Sequence, residues 1–463
     1  MKKTQRELLS NIFHVDETPF YKAKKGISAD LVADISARKC EPVWMKEFRL
    51  RSYQIFTKKE MPVWGPDLSS IDFRSLSYYL KPVEKMASAW NKLPKSILDT
   101  YERIGVPDAE KKYLSGVSAQ YESDVVYKSL QKVLSDKGVV FLSMDEGLAR
   151  YPEMVREYFG SIIPPGDNKF SALNSAVLSG GTFLYVPKGV KVELPLQAYF
   201  RINAKAFGQF ERTLIIADEG SFVHYIEGCT APIYSTDSLH AGVVEIIVKK
   251  GARVRYSTVQ NWSTNVYNLV TKRARVEESG VMEWVDGNIG SKVTMKYPTT
   301  ILAGVHARAD VLSVSCAGKG QNQDTGAKMI HLVGDTTSHI IAKSIGKGGG
   351  RTTFRGLVQI VKGAKRVKSS VSCHSLLMDE KSRTDTYPAM EIMNHDVEAS
   401  HDATVSRIAD DQLFYLATRG IAKDAGESMI VNGFIEPIVK ELPLEYAVEL
   451  NRLIAMQMKD RIG

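Results

Sequence analysis

The sequence predicts a mainly β protein whose centre is a β-solenoid between two helical regions. From about residue 180 to 407, short segments rich in Val, Ile, Thr and aromatic residues alternate as strands do. Turn glycines recur about every 30 residues, and the flanking regions repeat apolar residues with helical spacing. A β-sandwich or barrel is the alternative fold, because turn glycines are common in those folds as well.

Residues 1–165 form the predicted N-terminal domain, which we expect to be mostly helical. Apolar and charged residues recur three to four positions apart over residues 43–56 and 109–136. Pro164, Pro165 and Gly166 then interrupt this pattern. The domain boundary is therefore predicted at residue 165.

Residues 166–407 form the predicted solenoid domain, and its turn glycines set the repeat. Successive glycines of this series are about 30 residues apart, with one shorter interval, and each interval holds two or three predicted strands. Such a repeat, sustained over most of the domain, predicts a coil in which each turn pairs with the next. The series consists of Gly220, Gly251, Gly280, Gly304, Gly334 and Gly363.

Residues 408–463 return to helical spacing and form the predicted C-terminal domain. Asp424 is a candidate N-cap, and Pro443 suits the first turn of a final helix. The helix that follows Asp424 carries the apolar residues Met429, Ile430 and Phe434. This apolar face either packs on the protein's own core or offers a docking surface to a partner, and the sequence leaves both interpretations open.

Composition and charge argue against several classes of protein. Lys and Arg total 61 against 53 Asp and Glu, a net charge of +8, but the densest basic run has no interleaved aromatic residues for base stacking. With no zinc-finger or RNP-like signature, we expect no nucleic-acid partner. The sequence also has no signal peptide and no run of about 18 apolar residues that would span a membrane. We therefore expect a cytoplasmic protein with reduced cysteines.

Motifs of common enzyme classes are missing from the sequence. The glycine-rich segment SIGKGGGRTT lacks the spacing of a phosphate-binding P-loop, so the chain is not expected to be an ATPase. Neither a dinucleotide-binding fingerprint nor a G-x-S-x-G nucleophile elbow occurs. A β-helix enzyme acting on polysaccharide is the remaining enzymatic alternative, which the missing signal peptide disfavours.

Four cysteines lie far apart in the sequence, so no C-x-x-C pair exists. They are Cys40, Cys229, Cys316 and Cys373. Taken alone, each is most simply an inert buried thiol. The sequence around two of them is more informative. Cys229 lies in EGCTAP, which is compatible with a loop that exposes the thiol, and Cys373 lies on a predicted surface strand. On that strand His374 points to the opposite face from Cys373.

Two His-Asp pairs follow Cys373 in the sequence. His395-Asp396 and His401-Asp402 are six residues apart, which places both pairs on one face of a regular strand. Imidazole and carboxylate groups are ordinary iron or zinc ligands. Because the separation of Cys373 and His401 is close to one repeat, we expect them on adjacent turns. A chance surface cluster is the alternative.

Polar residues also follow the strand period inside the predicted solenoid. Arg201 and Asn203 share one face of a strand, and Gln260 and Trp262 share one face of another. The ordinary assignment leaves Arg201 in water and turns its apolar neighbours inward. If the polar face is turned inward instead, the solenoid has a hydrogen-bonding interior, which Lys272 would join.

Seven segments along the chain carry a family resemblance. They are VWGPDLSSID, GTFLYVPKGV, EGCTAP, YSTVQNW, TGAKMIH, FRGLVQI and DQLFYLATRG, and together they span nearly the whole sequence. These segments resemble the SufB/SufD family of the Suf iron-sulfur cluster assembly system, and the contexts of Cys229 and Cys373 are more similar to the SufB branch. The resemblance implies a right-handed parallel β-helix core flanked by N-terminal and C-terminal helical domains.

The resemblance also implies roles for individual residues. Cys229 matches the sulfur acceptor, and Cys373 matches the cluster assembly cysteine. His401 and Asp402 match a nearby histidine-acid pair, and these two residues with Cys373 are the implied iron ligands. Asp402 stands where glutamate is usual, so its carboxylate reaches less far. The implied sulfur route between the two cysteines is lined by Arg201, Asn203, Gln260, Trp262 and Lys272.

The implied function is a scaffold, not an enzyme, on which persulfide sulfur and iron form a transient [4Fe-4S] cluster that passes to apo-proteins. Arg201 and Lys272 would stabilise thiolate and persulfide anions in the interior. A reduced flavin is the implied electron source, and a cysteine desulfurase or sulfur-transfer protein is the implied donor. A SufC-like ABC ATPase would bind the C-terminal helices. A SufD-like paralogue or a second SufB copy would pair through the β-helix. The alternative is a SufD-like structural partner without sulfur chemistry.

Overall fold

The computed structural model describes residues 19–103, 114–202, 206–231 and 236–440, with Ala447, Leu450, Asn451 and Ile454. In this part of the chain, two long sheets form a β-solenoid of about seven turns with helices at both ends. The predicted mainly β solenoid with flanking helices is confirmed. The sandwich or barrel alternative is wrong, because successive strands within each long sheet pair in parallel.

The strands in chain order are β1 (Tyr21–Lys22), β2 (Leu80–Lys81), β3 (Gly116–Tyr121), β4 (Asp124–Leu130), β5 (Val140–Ser143), β6 (Thr182–Val186), β7 (Leu196–Arg201), β8 (Gly208–Gln209), β9 (Arg212–Ala217), β10 (Phe222–Thr230), β11 (Ser238–His240), β12 (Val243–Val248), β13 (Arg253–Trp262), β14 (Val266–Val276), β15 (Val281–Gly290), β16 (Val293–Lys296), β17 (Thr299–Leu302), β18 (Arg308–Ala317), β19 (Asn322–His331), β20 (Thr337–Gly346), β21 (Arg351–Ile360), β22 (Val367–Leu377), β23 (Arg383–Ile392) and β24 (Val397–Arg407). The helices are α1 (Ala29–Arg38), α2 (Val43–Lys58), α3 (Lys95–Arg103), α4 (Lys132–Asp136), α5 (Met144–Arg150), α6 (Pro152–Tyr158), α7 (Lys169–Val177), α8 (Asp410–Thr418) and α9 (Lys423–Val439), and a 3₁₀ helix covers Trp90–Lys92.

Each solenoid turn contributes a strand to each of the two sheets. The ten-stranded sheet has the order β24-β22-β20-β18-β15-β13-β10-β7-β3-β4, and the main path of the other sheet is β23-β21-β19-β16-β14-β12-β9-β6-β5. Antiparallel pairs join β3 to β4 and β5 to β6 at the N-terminal end. Because the other neighbours are parallel and in register, residues one turn apart form columns that run along the solenoid.

The turn glycines of the predicted series serve the fold in different ways. Gly220 and Gly251 have φ angles of +63° and +65°, in the left-handed region that side chains disfavour. At Gly304 an added Cβ would lie 2.0 Å from the backbone nitrogen of Glu278, so no side chain fits there. At Gly363 an added Cβ would meet no neighbouring atom within 4 Å. The glycine repeat therefore marks the turns, although the backbone does not require glycine at each one.

The helix predicted over residues 109–136 is wrong for its central part. β3 and β4 form a hairpin around Glu122 and Ser123, and β3 extends the ten-stranded sheet by pairing in parallel with β7. Every residue of β3 is buried, and its sequence GVSAQY alternates apolar and polar residues as a strand does, a signal that the helical interpretation of the longer segment overlooked. Only α4 is helical in the described part, and residues 109–113 lie outside the described residues. The helix predicted over residues 43–56 is present as α2.

Two buried ion pairs connect the N-terminal region to its neighbours: one anchors α2 to the end of α7, and the other anchors the segment after α6 to the solenoid. Arg49 of α2 pairs with Glu41 at 2.6 Å and donates to the backbone oxygens of Ala176 and Leu178. On the solenoid, Glu245 pairs with Arg212 at 2.6 Å and accepts hydrogen bonds from the backbone N–H groups of residues 160, 162 and 163. These pairs have backbone partners as well, so their buried charges are well solvated by the protein.

The C-terminal helices pack on the ten-stranded sheet. Ala422 is the N-cap of α9, so the N-cap predicted at Asp424 is wrong, and Asp424 lies in the first turn. Pro443 lies outside the described residues. One buried apolar cluster contains Val314, Cys316 and Ile345 of the sheet with Val431, Ile435 and Ile438 of α9. None of the helices in the described ranges is long and apolar enough to cross a membrane.

Candidate functional site

Cys229 lies inside the solenoid, near the C-terminal end of β10, and is 0% exposed. In the sheet register it stands between Phe200 of β7 and Gln260 of β13. The interpretation that a loop exposes this thiol is wrong, because the segment is a strand with partners on both sides. The Cys229 Sγ is 3.7 Å from Oε1 of Glu227, which shares its face of β10.

Glu227 connects this thiol to a buried cation. Lys272 Nζ of β14 lies 3.3 Å from Glu227 Oε1 and donates to Thr258 Oγ1 at 2.7 Å. The other carboxylate oxygen, Oε2, accepts a hydrogen bond from the Tyr256 hydroxyl. The predicted interior position of Lys272 is thus observed, with the side chain 0% exposed.

A second buried ion pair lies further along the solenoid, between β15 and β16. Lys296 Nζ of β16 is 2.9 Å from Oδ1 of Asp286, and both side chains are buried. Glu227, Thr258 and Asp286 form one register column. Sequence reasoning missed Glu227, Asp286 and Lys296, although polar residues recurring once per turn would have indicated the column.

Gln260 and Trp262 belong to a hydrogen-bonded cluster on the same interior face. Asn268 Nδ2 donates to Gln260 Oε1 at 2.9 Å, and Asn268 Oδ1 is 2.7 Å from His240 Nδ1. His240 Nε2 is 2.5 Å from Glu211 Oε1, and the Trp262 ring packs on the imidazole at 4.7 Å between centroids. Burial lowers the pKa of His240, but Glu211 favours the imidazolium, and the net shift is upward.

Arg201 is buried rather than in water, so the ordinary assignment of this residue is wrong. It is 2% exposed and in register with Thr230 and Tyr121. That register places Arg201 on the face of the sheet opposite to Phe200 and Cys229. The structure therefore does not bring Arg201 and Cys229 onto one face. Asn203 lies outside the described residues.

Cys373 and His401 meet at the other end of the solenoid. Cys373 lies on β22 and His401 on β24, the last strand of the ten-stranded sheet. Cys373 Sγ is 3.9 Å from His401 Nε2. Their separation in sequence thus corresponds to adjacent turns, as the repeat indicated.

Asp402 is directed away from this pair. Its Oδ1 accepts a hydrogen bond of 2.5 Å from Ser372 Oγ, and Ser372 and Asp402 are in register on the outer face of the sheet. His374 also lies on that face and is 2.7 Å from Thr404 Oγ1. Across the described ranges, no three His, Cys, Asp or Glu side chains are grouped to hold a metal ion. The structure therefore unites two of the three implied iron ligands.

Burial favours the protonated form of both interior thiols. Burial raises the pKa of Cys229 well above its ordinary value, and the negative charge of Glu227 adds to the shift. Burial raises the pKa of Cys373 to about 12, and Asp402 adds to that shift. The positive charge of Lys272 acts in the opposite direction and favours the Cys229 thiolate, but burial and the nearby carboxylates outweigh it. The role of Lys272 in stabilising a sulfur anion stays a prediction.

Small polar side chains line the interior between the two cysteines. Ser344 Oγ and Ser375 Oγ are 2.8 Å apart, and Ser375 shares the face of Cys373 two residues away. Cys316 lies on the opposite face, in the cluster with α9. Cys316 therefore does not share the interior face on which Cys229 and Cys373 lie. The column that begins at Cys229 continues through Gln260, Asn288, Ser315, Ser344 and Ser375.

These features define a parallel β-solenoid protein with a buried ionic interior and two interior thiols, one near the end of the solenoid. Residues 200–434 match the family model described as "SUF system FeS cluster assembly, SufBD core domain". Residues 96–198 match the one described as "SufBD protein N-terminal region". The chain belongs to the SufBD family of iron-sulfur cluster assembly proteins.

Curated relatives agree with this assignment over nearly the full length. An "iron-sulfur cluster assembly SufBD family protein" of Staphylococcus epidermidis is 54% identical over 451 residues. A protein of Staphylococcus aureus strain MRSA252 with the same family description is 53% identical over 451 residues. In both comparisons the match covers 97% of this chain and 97% of the relative. The chain thus has the iron-sulfur cluster assembly function of the family, and the relatives' names specify no branch.

Proposed function

We propose that the chain is a SufB-type scaffold that accepts sulfur at Cys229 and assembles an iron-sulfur cluster at Cys373 and His401. The observation that carries this proposal is the 3.9 Å approach of Cys373 Sγ to His401 Nε2 on adjacent turns. Thiolate and imidazole are ordinary iron ligands. A site with so few protein ligands holds a cluster more weakly than four cysteines do, which suits a protein that passes its cluster on.

A second subunit completes the site in this proposal. β23 and β24 end their sheets, and no strand within the described residues pairs with their outer edges. An unpaired sheet edge is a template for another chain. A SufD-like paralogue or a second SufB copy would cover this end and supply further iron ligands. The exposed apolar side chains here are Tyr387, Ile392, Met393 and Val405.

A SufC-like ABC ATPase would dock on α8 and α9. Phe414 and Tyr415 of α8 and Met429 of α9 are exposed apolar side chains. Ile430 and Phe434 are partly buried against the sheet cluster, and Lys343 Nζ donates to the Phe434 backbone oxygen at 2.6 Å. Part of the apolar face that the sequence indicated thus packs on the protein's own sheet, and part of it is exposed. We assign docking of the ATPase to the exposed part. ATP binding would shift the complex towards a state with an open subunit interface.

Sulfur would arrive as a persulfide on a cysteine desulfurase or a sulfur-transfer protein. The Cys229 thiolate attacks the terminal sulfur, the donor S–S bond breaks, and the donor sulfur leaves as a thiolate, with no net oxidation. The chain is a scaffold here, not an enzyme. The product would be a [4Fe-4S] cluster with electrons from a reduced flavin, to which we assign no described residue. A cytoplasmic location fits the four free cysteines.

Anaerobic reconstitution with the ATPase, iron, cysteine and a desulfurase tests this proposal. Cys373→Ala should fold and show no iron-sulfur absorption, whereas Cys316→Ala, its buried control on the other face, should retain it. The Mössbauer spectrum of the wild-type product gives the cluster type. A full chromophore in Cys373→Ala would overturn the proposal. A wild-type chain that supports the complex without ever carrying sulfur would be a SufD-like structural partner instead.

A further inference from the structure

Glu227 Oε1 stands between the Cys229 thiol and the Lys272 ammonium. It is 3.7 Å from Cys229 Sγ and 3.3 Å from Lys272 Nζ. We propose that Glu227 takes the thiol proton of Cys229 when this cysteine accepts sulfur, and that Lys272 then pairs with the sulfur anion instead of Glu227. This inference rests on the proposed role of Cys229, and it adds the path of the proton and the identity of the base.

The burial of Cys229 makes a local base necessary. The nucleophile in sulfur transfer is the thiolate, and a thiol that is 0% exposed has no bulk water beside it to take the proton. Moving the proton from Sγ to Glu227 Oε1 leaves the total charge of the buried cluster unchanged. The desolvation penalty for creating a new isolated charge is thereby avoided.

The surroundings of Glu227 allow this exchange with little movement. Tyr256 holds Oε2 through its hydroxyl, so Oε1 is the oxygen that changes partner. Lys272 keeps its 2.7 Å bond to Thr258 and lies 4.5 Å from the centroid of the Tyr256 ring. The other titratable groups that influence Glu227 or Cys229 are Tyr225, Lys296, His240 and Glu211.

The proposed step balances as follows. The proton of Cys229 passes to Glu227 Oε1, and the thiolate attacks the terminal sulfur of the donor persulfide. The donor S–S bond breaks, its electron pair leaves with the donor thiolate, and a new S–S bond forms on Cys229. The terminal sulfur carries its own proton across or releases it to the departing thiolate. In its anionic form, the new persulfide is paired by Lys272.

Ultraviolet absorbance of the Cys229 thiolate against pH tests the exchange without any sulfur donor. Each variant is compared with the same variant carrying Cys229→Ala. Glu227→Gln leaves Lys272 without its carboxylate, so we expect the titration midpoint of Cys229 to fall by at least about one pH unit, a tenfold change in thiolate fraction at a given pH. The double variant Glu227→Gln/Lys272→Met should raise the midpoint again. A midpoint that does not fall in Glu227→Gln would overturn the exchange.

A matched control and a conservative variant complete the experiment. Glu283 pairs with Arg253 and Arg255 away from the interior, so Glu283→Gln should leave the titration of Cys229 unchanged. Glu227→Asp keeps the charge but withdraws the carboxylate, and we expect single-turnover persulfide formation on Cys229 to slow at least about tenfold. Unchanged formation in this variant, which also serves if Glu227→Gln does not fold, would contradict the proposed base. Wild-type chain that never gains a persulfide would instead overturn the proposed function.

Discussion

The surroundings of Cys229 and of Cys373 differ in almost every physical respect. β10 has a strand on each side, and charged partners that are fully buried surround the first thiol. β22 is one strand from the end of the sheet, and most residues of β24 beside it are exposed. The same parallel ladder therefore builds a closed, packed interior in one region and an open end in the other.

In the proposed function, this difference would let one repeated architecture separate two chemical tasks. Buried ion pairs contribute little net stability, because the desolvation cost offsets their attraction. Their presence around Cys229 fits the proposed role of this thiol in accepting sulfur. At the open end, the unpaired edge and two potential iron ligands suit a cargo that has to leave.

We expect the largest effect on the unfolding free energy from breaking an ion pair in the closed region. Lys296→Met leaves Asp286 as an uncompensated buried carboxylate, and we expect a loss of about 3–5 kcal/mol of unfolding free energy. Urea denaturation followed by circular dichroism measures it. The double variant Lys296→Met/Asp286→Asn should recover most of the loss. A single variant within about 1 kcal/mol of wild type would show that this charge pair is solvated.

The reactivity of the thiols sharpens the comparison. Cys40 is exposed, whereas Cys373 is 3% and Cys229 0% exposed. We expect a neutral alkylating reagent to modify Cys40 first, Cys373 at least about tenfold more slowly, and Cys229 last, because burial also raises the pKa of both interior thiols. Peptide mass spectrometry over time gives the order. Faster labelling of Cys229 than of Cys373 would contradict the description of the closed region.

Alkaline pH probes a buried thiol that belongs to neither site. Burial raises the pKa of Cys316 from 9.0 to about 12. Because the unfolded chain loses this proton first, the thiol's contribution to stability is present below about pH 9 and is lost as the pH rises towards 12. The slope is at most about 1.4 kcal/mol per pH unit. Urea midpoints from pH 8 upward should fall less steeply in Cys316→Ala, and parallel curves would refute this assignment.

We expect the smallest effect on the unfolding free energy from breaking an exposed ion pair at the open end. Lys368 of β22 pairs with Glu398 of β24 at 3.1 Å, but these side chains are 63% and 75% exposed. Lys368→Ala should change the unfolding free energy by less than about 0.5 kcal/mol, because exposed ion pairs contribute little. The same denaturation assay applies. A loss above about 1 kcal/mol would mean that β24 is as rigidly held as the interior strands.

The solenoid and the Cys373–His401 approach were predictable because both depend on the length of the repeat. The separation of these two residues is two residues short of one turn, because the register pairs Cys373 with Ala403 and His401 with Val371. Cys373 and His401 are therefore diagonal neighbours on the same face of adjacent strands.

β3 was predictable from alternation, because Val117, Ala119 and Tyr121 are separated by polar residues, but the helical spacing of the longer segment concealed it. The placement of Asp402 on the same face as His401 was wrong, because adjacent strand residues alternate between the two faces.

The ionic interior could not be derived from local pattern. Lys272 and Glu227 are 45 residues apart and lie in different sheets, so only the fold brings them together. On a strand, an isolated lysine or glutamate ordinarily faces water. Arg201 was misassigned for the same reason, because its burial depends on neighbouring structure and not on its own strand.

The central claim is that sulfur enters at Cys229 and is assembled at Cys373. The most direct measurement follows persulfide on both cysteine peptides by mass spectrometry, after the chain and its ATPase are given a desulfurase and isotopically labelled cysteine. We predict that label appears on Cys229 first and on Cys373 later, and that Cys229→Ala leaves Cys373 unlabelled. Full labelling of Cys373 in the Cys229→Ala variant would contradict this account.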